Sequence, residues 1–225
     1  MKVIVIMAGG TGERFWPMSR ADHPKQLLTL TSSGQSLLAE AVERSKQVVD
    51  SPENIYIATN RNLQPAIIDA QLGIPAENIL VEPSKRNTAG CLIYASASIL
   101  ARHRNLGPEE VTVGVMTADH RIPDTIPFVS AARAALDAAE TTDALVTIGI
   151  QPVRPDTGYG YIEVDPSSQK LNQDEEHPLY RVTCFHEKPS AEKAAQFIAS
   201  GNTYWNSGMF FWRLSTFQNE FGRAN

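Results

Sequence analysis

Short apolar runs recur along this chain, and stretches of helical patterning separate them. The first covers residues 3–8 and opens Val3-Ile4-Val5-Ile6; others fall at 54–59, 78–81, 111–116 and 144–150. Between them, Leu37, Leu38, Ala41, Val42 and Ser45 place a helix over 36–49, and a second over 63–72 ends at Gly73 and Pro75. Residues 88–102, rich in alanine and small side chains, predict a helix packed closely on a sheet, and 126–139 predict a further one. Apolar runs without alternation, separated by helices, indicate a mostly parallel sheet covered on both faces by right-handed crossovers. The expected fold is α/β, Rossmann-like and doubly wound.

From Gln151 the texture changes. Residues 159–164 and 181–185 read as strands bracketing a polar segment, 165–178, that suits an exposed hairpin tip or a mobile loop. No internal repeat and no dividing linker are visible. In open α/β sheets ligands bind beyond the carboxyl ends of the strands. The residues to inspect therefore follow strands: 9–14 after the first, 82–88 after the third, Asp119 after the fourth, and Glu187 with Lys188 after 181–185. They are expected to converge on one edge of the sheet.

The segment after the first strand, Met7-Ala8-Gly9-Gly10-Thr11-Gly12-Glu13-Arg14-Phe15-Trp16-Pro17, is the most distinctive in the chain, together with Pro24-Lys25-Gln26. Its glycines let backbone N–H groups approach a bulky anion, because no Cβ stands in the way. Arg14 and Lys25 add positive charge, so the segment suits a polyphosphate. A dinucleotide fingerprint fits poorly, since Phe15 stands where the third glycine belongs, and no Gly-Lys-Ser/Thr follows to make a P-loop. A purely structural turn is the remaining alternative.

Bulk properties narrow the class. At 225 residues, with 42% hydrophobic and 20% charged residues, the chain can bury a sizeable core. A net charge of −5 argues against non-specific nucleic-acid binding, so the cations that matter are local. Cys91 and Cys184 lie far apart without metal-ligand spacing and read as free thiols of a reducing compartment. No signal peptide and no apolar run of membrane-spanning length is evident, which makes the cytoplasm the expected location and excludes a membrane partner.

The string from Ala8 to Arg20, with Phe15-Trp16-Pro17-Met18-Ser19-Arg20 and Pro24-Lys25-Gln26, resembles the signature of the sugar-phosphate nucleotidyltransferases. Within them it is similar to the mannose-1-phosphate guanylyltransferase family. That resemblance implies a nucleotidyltransferase-type fold over one domain, residues 1–225. It also implies transfer of GMP from GTP to mannose 1-phosphate with release of pyrophosphate, Mg²⁺ as cofactor, and room for a homodimer. In the family pattern Arg14, Lys25 and Asp119 are catalytic, Asp119 also being the metal ligand. Ala8, Gly9, Gly10, Thr11, Gly12, Glu82, Asn87 and Thr88 correspond to nucleotide-binding positions, and Gly160, Glu187, Lys188 and Asn206 to sugar-phosphate ones.

The residue chemistry agrees with these roles. An acid after a buried strand, as in Thr117-Ala118-Asp119-His120, suits Mg²⁺ shared with phosphate oxygens, the lesser alternative being an Asp that caps the next turn. In Phe185-His186-Glu187-Lys188-Pro189, which matches the family's Phe-x-Glu-Lys-Pro, an ammonium can contact phosphate and a carboxylate can accept from sugar hydroxyls. Glu82 of Glu82-Pro83-Ser84-Lys85-Arg86-Asn87-Thr88-Ala89 can accept from N1–H and the exocyclic amine of guanine. Thr88 is equally suited to cap the following helix. After Ala89 the family pattern has Pro-Ala, whereas this chain has Gly90-Cys91. Gly158-Tyr159-Gly160-Tyr161 resembles the strand lining the sugar site, and Trp205-Asn206-Ser207-Gly208-Met209-Phe210 another family block. The aromatics Trp205, Phe210, Phe211 and Trp212 are expected in the core.

The family's catalytic domain continues past this last block and supplies a second metal-binding Asp. Here no Asp follows Asp174, and the acids after Lys188 are Glu192 and Glu220. The sequence therefore reads as a domain incomplete at its C-terminus, whose activity is in question. Two alternatives stand beside it: a related enzyme using another nucleotide or sugar, and a non-catalytic nucleotide-binding relative.

Overall fold

The computed structural model describes residues 1–10, 16–20, 24–84, 87–165, 171–172 and 174–223. Its contacts divide into two compact units, Met1–Leu145 with Phe210–Asn225, and Val146–Met209.

In the larger unit four parallel strands lie in the order β3 (Ile79–Val81), β2 (Ile55–Thr59), β1 (Lys2–Met7) and β4 (Thr112–Thr117). Strand β8 (Thr203–Arg213) is shared by the two units, and its last residues run antiparallel to β4, from Val115↔Phe210 to Thr112↔Arg213. β1 and β2 are buried almost throughout because both faces are covered. Val3, Val5, Tyr56, Ala58, Val113 and Val115 pack with Leu92, Ala95 and Ile99 of α3 (Asn87–Arg102). Ser45 of α1 (Leu37–Val48) meets Met116 of β4. Helix α4 (Thr125–Thr142) buries Ala132, Ala135, Leu136 and Ala139.

Caps set the helix ends. Ser36 accepts from the Ala39 amide at 3.2 Å to start α1, and Asp124 accepts from Ile126 to start α4. Helix α2 is shorter than the sequence pattern predicts, covering Gln64–Asp69, because the chain enters the left-handed region at Gln71 and Gly73. Helix α6 (Leu214–Arg223) continues directly from β8.

The smaller unit pairs β6 (Tyr161–Val164) antiparallel with β7 (Val182–His186) and with the first residues of β8. Helix α5 (Ala191–Ser200), capped by Ser190, completes a small core of Tyr161, Ala194, Phe197 and Trp205. β5 (Val146–Ile150) departs from the expectation of a fifth core strand: it pairs with β8, and Gly149 and Ile150 are exposed. An apolar run alone does not say which sheet neighbour a strand takes. Strand β8 and helix α5 had no counterpart among the predicted elements. The connection from β6 to β7 makes a hairpin; its described residues are tied by the Leu171 amide to the Leu179 carbonyl and by Asn172 to His177 and Leu179. Trp205, Phe211 and Trp212 are buried as expected, and Phe210 is half-buried. Among the described residues no helix is long and apolar enough to cross a membrane.

Candidate active site

Where β1 ends, three successive carbonyls are bound by side chains from other segments. Ala8 oxygen accepts from Thr59 Oγ1 at 3.1 Å, Gly9 oxygen from Asn60 Nδ2 at 3.2 Å, and Gly10 oxygen from Gln26 Nε2 at 2.8 Å. The Ala8 amide donates to Ala58 at 2.8 Å. The start of the glycine loop is thus fastened by contacts within the protein. Thr59 and Asn60 stand at the carboxyl end of β2, the place where the strand-end rule directs attention, yet sequence reading did not select them. Gln26 lay inside the quoted Pro-Lys-Gln string without a role of its own. Its Oε1, like Thr117 Oγ1, is buried with no hydrogen-bond partner among the described residues. Thr11, Gly12 and Arg14 lie outside the described residues.

Glu82 follows β3, and its amide donates to Thr59 oxygen at 2.9 Å. A Cβ on Gly9 would stand 3.4 Å from Glu82 Oε1, so the carboxylate lies directly over the glycine. Cys91, one helical turn into α3, is buried; burial, and then the negative Glu82 beside it, push its thiol up to about 12. Helix α3 starts at Asn87, which puts Thr88 inside it and not at its cap; the side chain of Thr88 is exposed. The Asn87 side chain lies outside what is described.

Lys25 begins a 3-10 turn, Lys25–Leu27, and its Nζ lies 2.5 Å from Asp119 Oδ2. The Lys25 side chain is 18% exposed and that of Asp119 is 38% exposed. Asp119 sits in a turn held on both sides: the Ala118 amide donates to Met7 oxygen at 3.3 Å, and His120 oxygen accepts from Arg44 Nη2 at 3.0 Å. Burial, reinforced by Arg44 and Lys25 and opposed by Asp119, pulls the His120 imidazole below its ordinary value, toward the neutral form. Among the described residues no three acidic, histidine or cysteine side chains form a metal cage. A single, part-exposed carboxylate still fits Mg²⁺, which is commonly held by one or two carboxylates together with substrate phosphates and water.

In the smaller unit Gly160, Glu187 and Asn206 come together. A Cβ on Gly160 would lie 3.4 Å from Glu187 Oε2, 3.6 Å from His186 oxygen and 3.8 Å from Asn206 Cβ, in ordinary contact with all three. The Asn206 amide donates to Gly160 oxygen at 2.8 Å, and its Oδ1 accepts from the Gly208 amide at 3.0 Å. Lys188 has φ of 40°, a left-handed conformation uncommon for a side chain of its size, and its Nζ is 3.4 Å from Glu187 Oε1. His186 is bound to Glu163 at 2.8 Å, a partner unmarked in the sequence.

A doubly wound α/β sheet with a fastened glycine turn and a Lys–Asp pair beyond its strand ends places these residues where open α/β sheets commonly carry their sites. The model of the Nucleotidyl transferase family matches residues 3–224, and the chain belongs to that family. An Escherichia coli mannose-1-phosphate guanylyltransferase is 40% identical over 224 residues, 99% of this chain and 45% of that protein. The Salmonella typhimurium mannose-1-phosphate guanylyltransferase RfbM is 38% identical over 217 residues, 96% of this chain and 43% of that one. A solved Thermus thermophilus structure, described as a mannose-1-phosphate geranyltransferase, superposes with a TM-score of 0.82 at 34% identity. It is matched over 99% of this chain and 60% of its own. The chain thus spans less than half the length of the two bacterial relatives named first.

Proposed function

We propose that this chain carries a mannose-1-phosphate guanylyltransferase domain that transfers GMP from GTP to mannose 1-phosphate. A phosphate oxygen of mannose 1-phosphate attacks the α-phosphorus of GTP in line, the bond to the β-phosphate oxygen breaks, and pyrophosphate departs. No protein nucleophile is needed, so positioning and charge stabilisation supply the rate. The observation that carries the reading is the Lys25–Asp119 pair beside the fastened Gly9-Gly10 turn, in a chain whose relatives bear that name.

In this reading the amides from Gly9 to Gly12, with Arg14, hold the departing pyrophosphate, and Lys25 neutralises charge near the α-phosphate. Glu82 accepts from N1–H and the amine of guanine, with Asn87 and Thr88 near the ribose and phosphates. Lys188 places the attacking phosphate, while Glu187 and Asn206 orient the sugar beside Gly160. Asp119 is the residue that would hold Mg²⁺, which when bound supplies neutralisation of the phosphate oxygens. Lys25 would face phosphate and Asp119 would hold the cation, the two side chains being already side by side.

The test is pyrophosphate release by the 225-residue chain with GTP, mannose 1-phosphate and Mg²⁺, beside ATP, UTP, dTTP and glucose 1-phosphate. Release confined to the GTP and mannose pair is expected. Release with another pair would reassign base or sugar, and GTP binding without release would point to an incomplete catalytic domain or to a non-catalytic relative.

A further inference from the structure

We propose that Arg44, on helix α1, is a positioning residue that holds the Asp119 turn in place for the cation and phosphates. The inference rests on the reading of Asp119 given above. Helix α1 turns Leu37, Leu38, Ala41, Val42, Ser45 and Val48 inward, and Arg44 is buried with them at 6% exposure. An arginine is seldom buried so far unless its charge is matched. Among the described residues its neighbouring carboxylate is Glu40, 3.8 Å away, too far for a close charge-assisted bond. Glu40 is meanwhile bound by Thr31 Oγ1 and, at 2.6 Å, by Ser33 Oγ.

The short contact of Arg44 runs elsewhere. Nη2 donates to His120 oxygen at 3.0 Å, across 76 residues of sequence, while the guanidinium lies 6.0 Å from the centre of the Phe128 ring of α4. The two residues flanking Asp119 are therefore anchored to different elements: Ala118 to the end of β1 through the Met7 carbonyl, and His120 to α1 through Arg44. The Asp119 side chain between them meets Lys25. The same helix also fixes the Lys25 side, because the Leu37 amide donates to Leu28 oxygen at 3.1 Å just beyond the 3-10 turn. One helix thus sets the separation of both charges, and Arg44 is its hold on the carboxylate. A residue needed only to join α1 to the core would not require a charged fork aimed at one carbonyl of a strand-end turn.

Arg44→Met keeps much of the volume and removes the donor, and Arg44→Lys keeps the charge without the fork. Amide hydrogen exchange by mass spectrometry would be followed over residues 117–122 and over β1 and β2, and the Mg²⁺ concentration for half-maximal pyrophosphate release measured. In Arg44→Met exchange of the turn rises at least tenfold while β1 and β2 keep their protection. Half-saturating Mg²⁺ rises about tenfold to hundredfold, the usual effect of losing a group that orients a metal ligand, and turnover at saturating Mg²⁺ changes much less. Arg44→Lys lies between. Unchanged exchange in the turn, or an even rise across all elements, would overturn the proposal by leaving Arg44 a packing residue. If the wild-type chain releases no pyrophosphate, the functional reading fails, whereas the exchange pattern still decides the role of Arg44. Should Arg44→Met not fold, Arg44→Lys, which keeps the charge and loses the fork, carries the test alone: raised exchange confined to the turn is expected, and no change there would overturn the proposal.

Discussion

Asp119→Asn separates a residue placed for chemistry from one placed for stability. Its carboxylate meets Lys25 at 2.5 Å, and with 38% of the Asp119 side chain and 18% of the Lys25 side chain exposed the pair still reaches solvent on the Asp119 side. Pairs of that kind contribute on the order of 0.2–1 kcal/mol. Asparagine has the same shape and still offers Lys25 an acceptor oxygen, so the cost stays within that range. For a domain of this size 1 kcal/mol moves Tm by roughly 2–4 °C, and the variant should melt within that interval of wild type. Activity is another matter. Loss of one preorganised charged group at the reacting phosphates costs about a hundredfold to a thousandfold in turnover. The assay is coupled pyrophosphate release at saturating GTP and mannose 1-phosphate across a Mg²⁺ series, run beside a calorimetric melt. Near-normal turnover would refute the assignment of Asp119. So would a fall in Tm of ten degrees or more with activity lost in proportion, because Asp119 would then hold the fold together.

Two further expectations follow from packing and burial. Gly114, in the centre of β4, has no room for a methyl group: a Cβ would sit 2.8 Å from Ile4 Cδ1 and 3.0 Å from the Phe211 ring. Gly114→Ala should therefore destabilise by roughly 1–3 kcal/mol in a urea titration, and an unchanged midpoint would show that the core yields more than this packing implies. Cys91 stays protonated in the folded chain up to about pH 12, against an ordinary value of 9.0. Above pH 9 the unfolded chain loses this proton and the folded chain keeps it, so unfolding stability falls as pH rises, by up to about 1.4 kcal/mol per pH unit. Cys91→Ala should flatten that part of the stability curve. At pH 8 a thiol reagent should label the exposed Cys184 and spare Cys91 until denaturant is added; rapid labelling of both would contradict the burial.

Much of the larger unit was readable in advance because its order is local and repetitive. A strand buried on both faces must be apolar along its length, so 3–8, 54–59 and 111–116 announced β1, β2 and β4 to within a residue or two. The glycine run, Glu82 and Asp119 were selected by a rule of topology, since polar residues that directly follow buried strands meet ligands. The smaller unit was harder. Strand β8 alternates buried and half-buried positions over Thr203–Arg213 and serves both units, and its aromatic richness suggested core without saying strand. β5 looked like its apolar predecessors, but its partner is a matter of pairing, which no local pattern encodes.

What the sequence alone determined is the chemical inventory: the glycine-rich segment after β1, the Lys and Arg near it in sequence, the acid after β4, and the family these belong to. Those follow from side-chain chemistry and from short spacings along one segment. Tertiary structure decided who holds whom. That Lys25 reaches Asp119 across 94 residues, that Gln26 and Asn60 fasten the glycine turn, and that a buried arginine of α1 grips the His120 carbonyl are all long-range contacts. Such contacts form only once the sheet has brought strand ends together, because hydrogen bonds act over about 3 Å and carry no trace in the sequence between their partners.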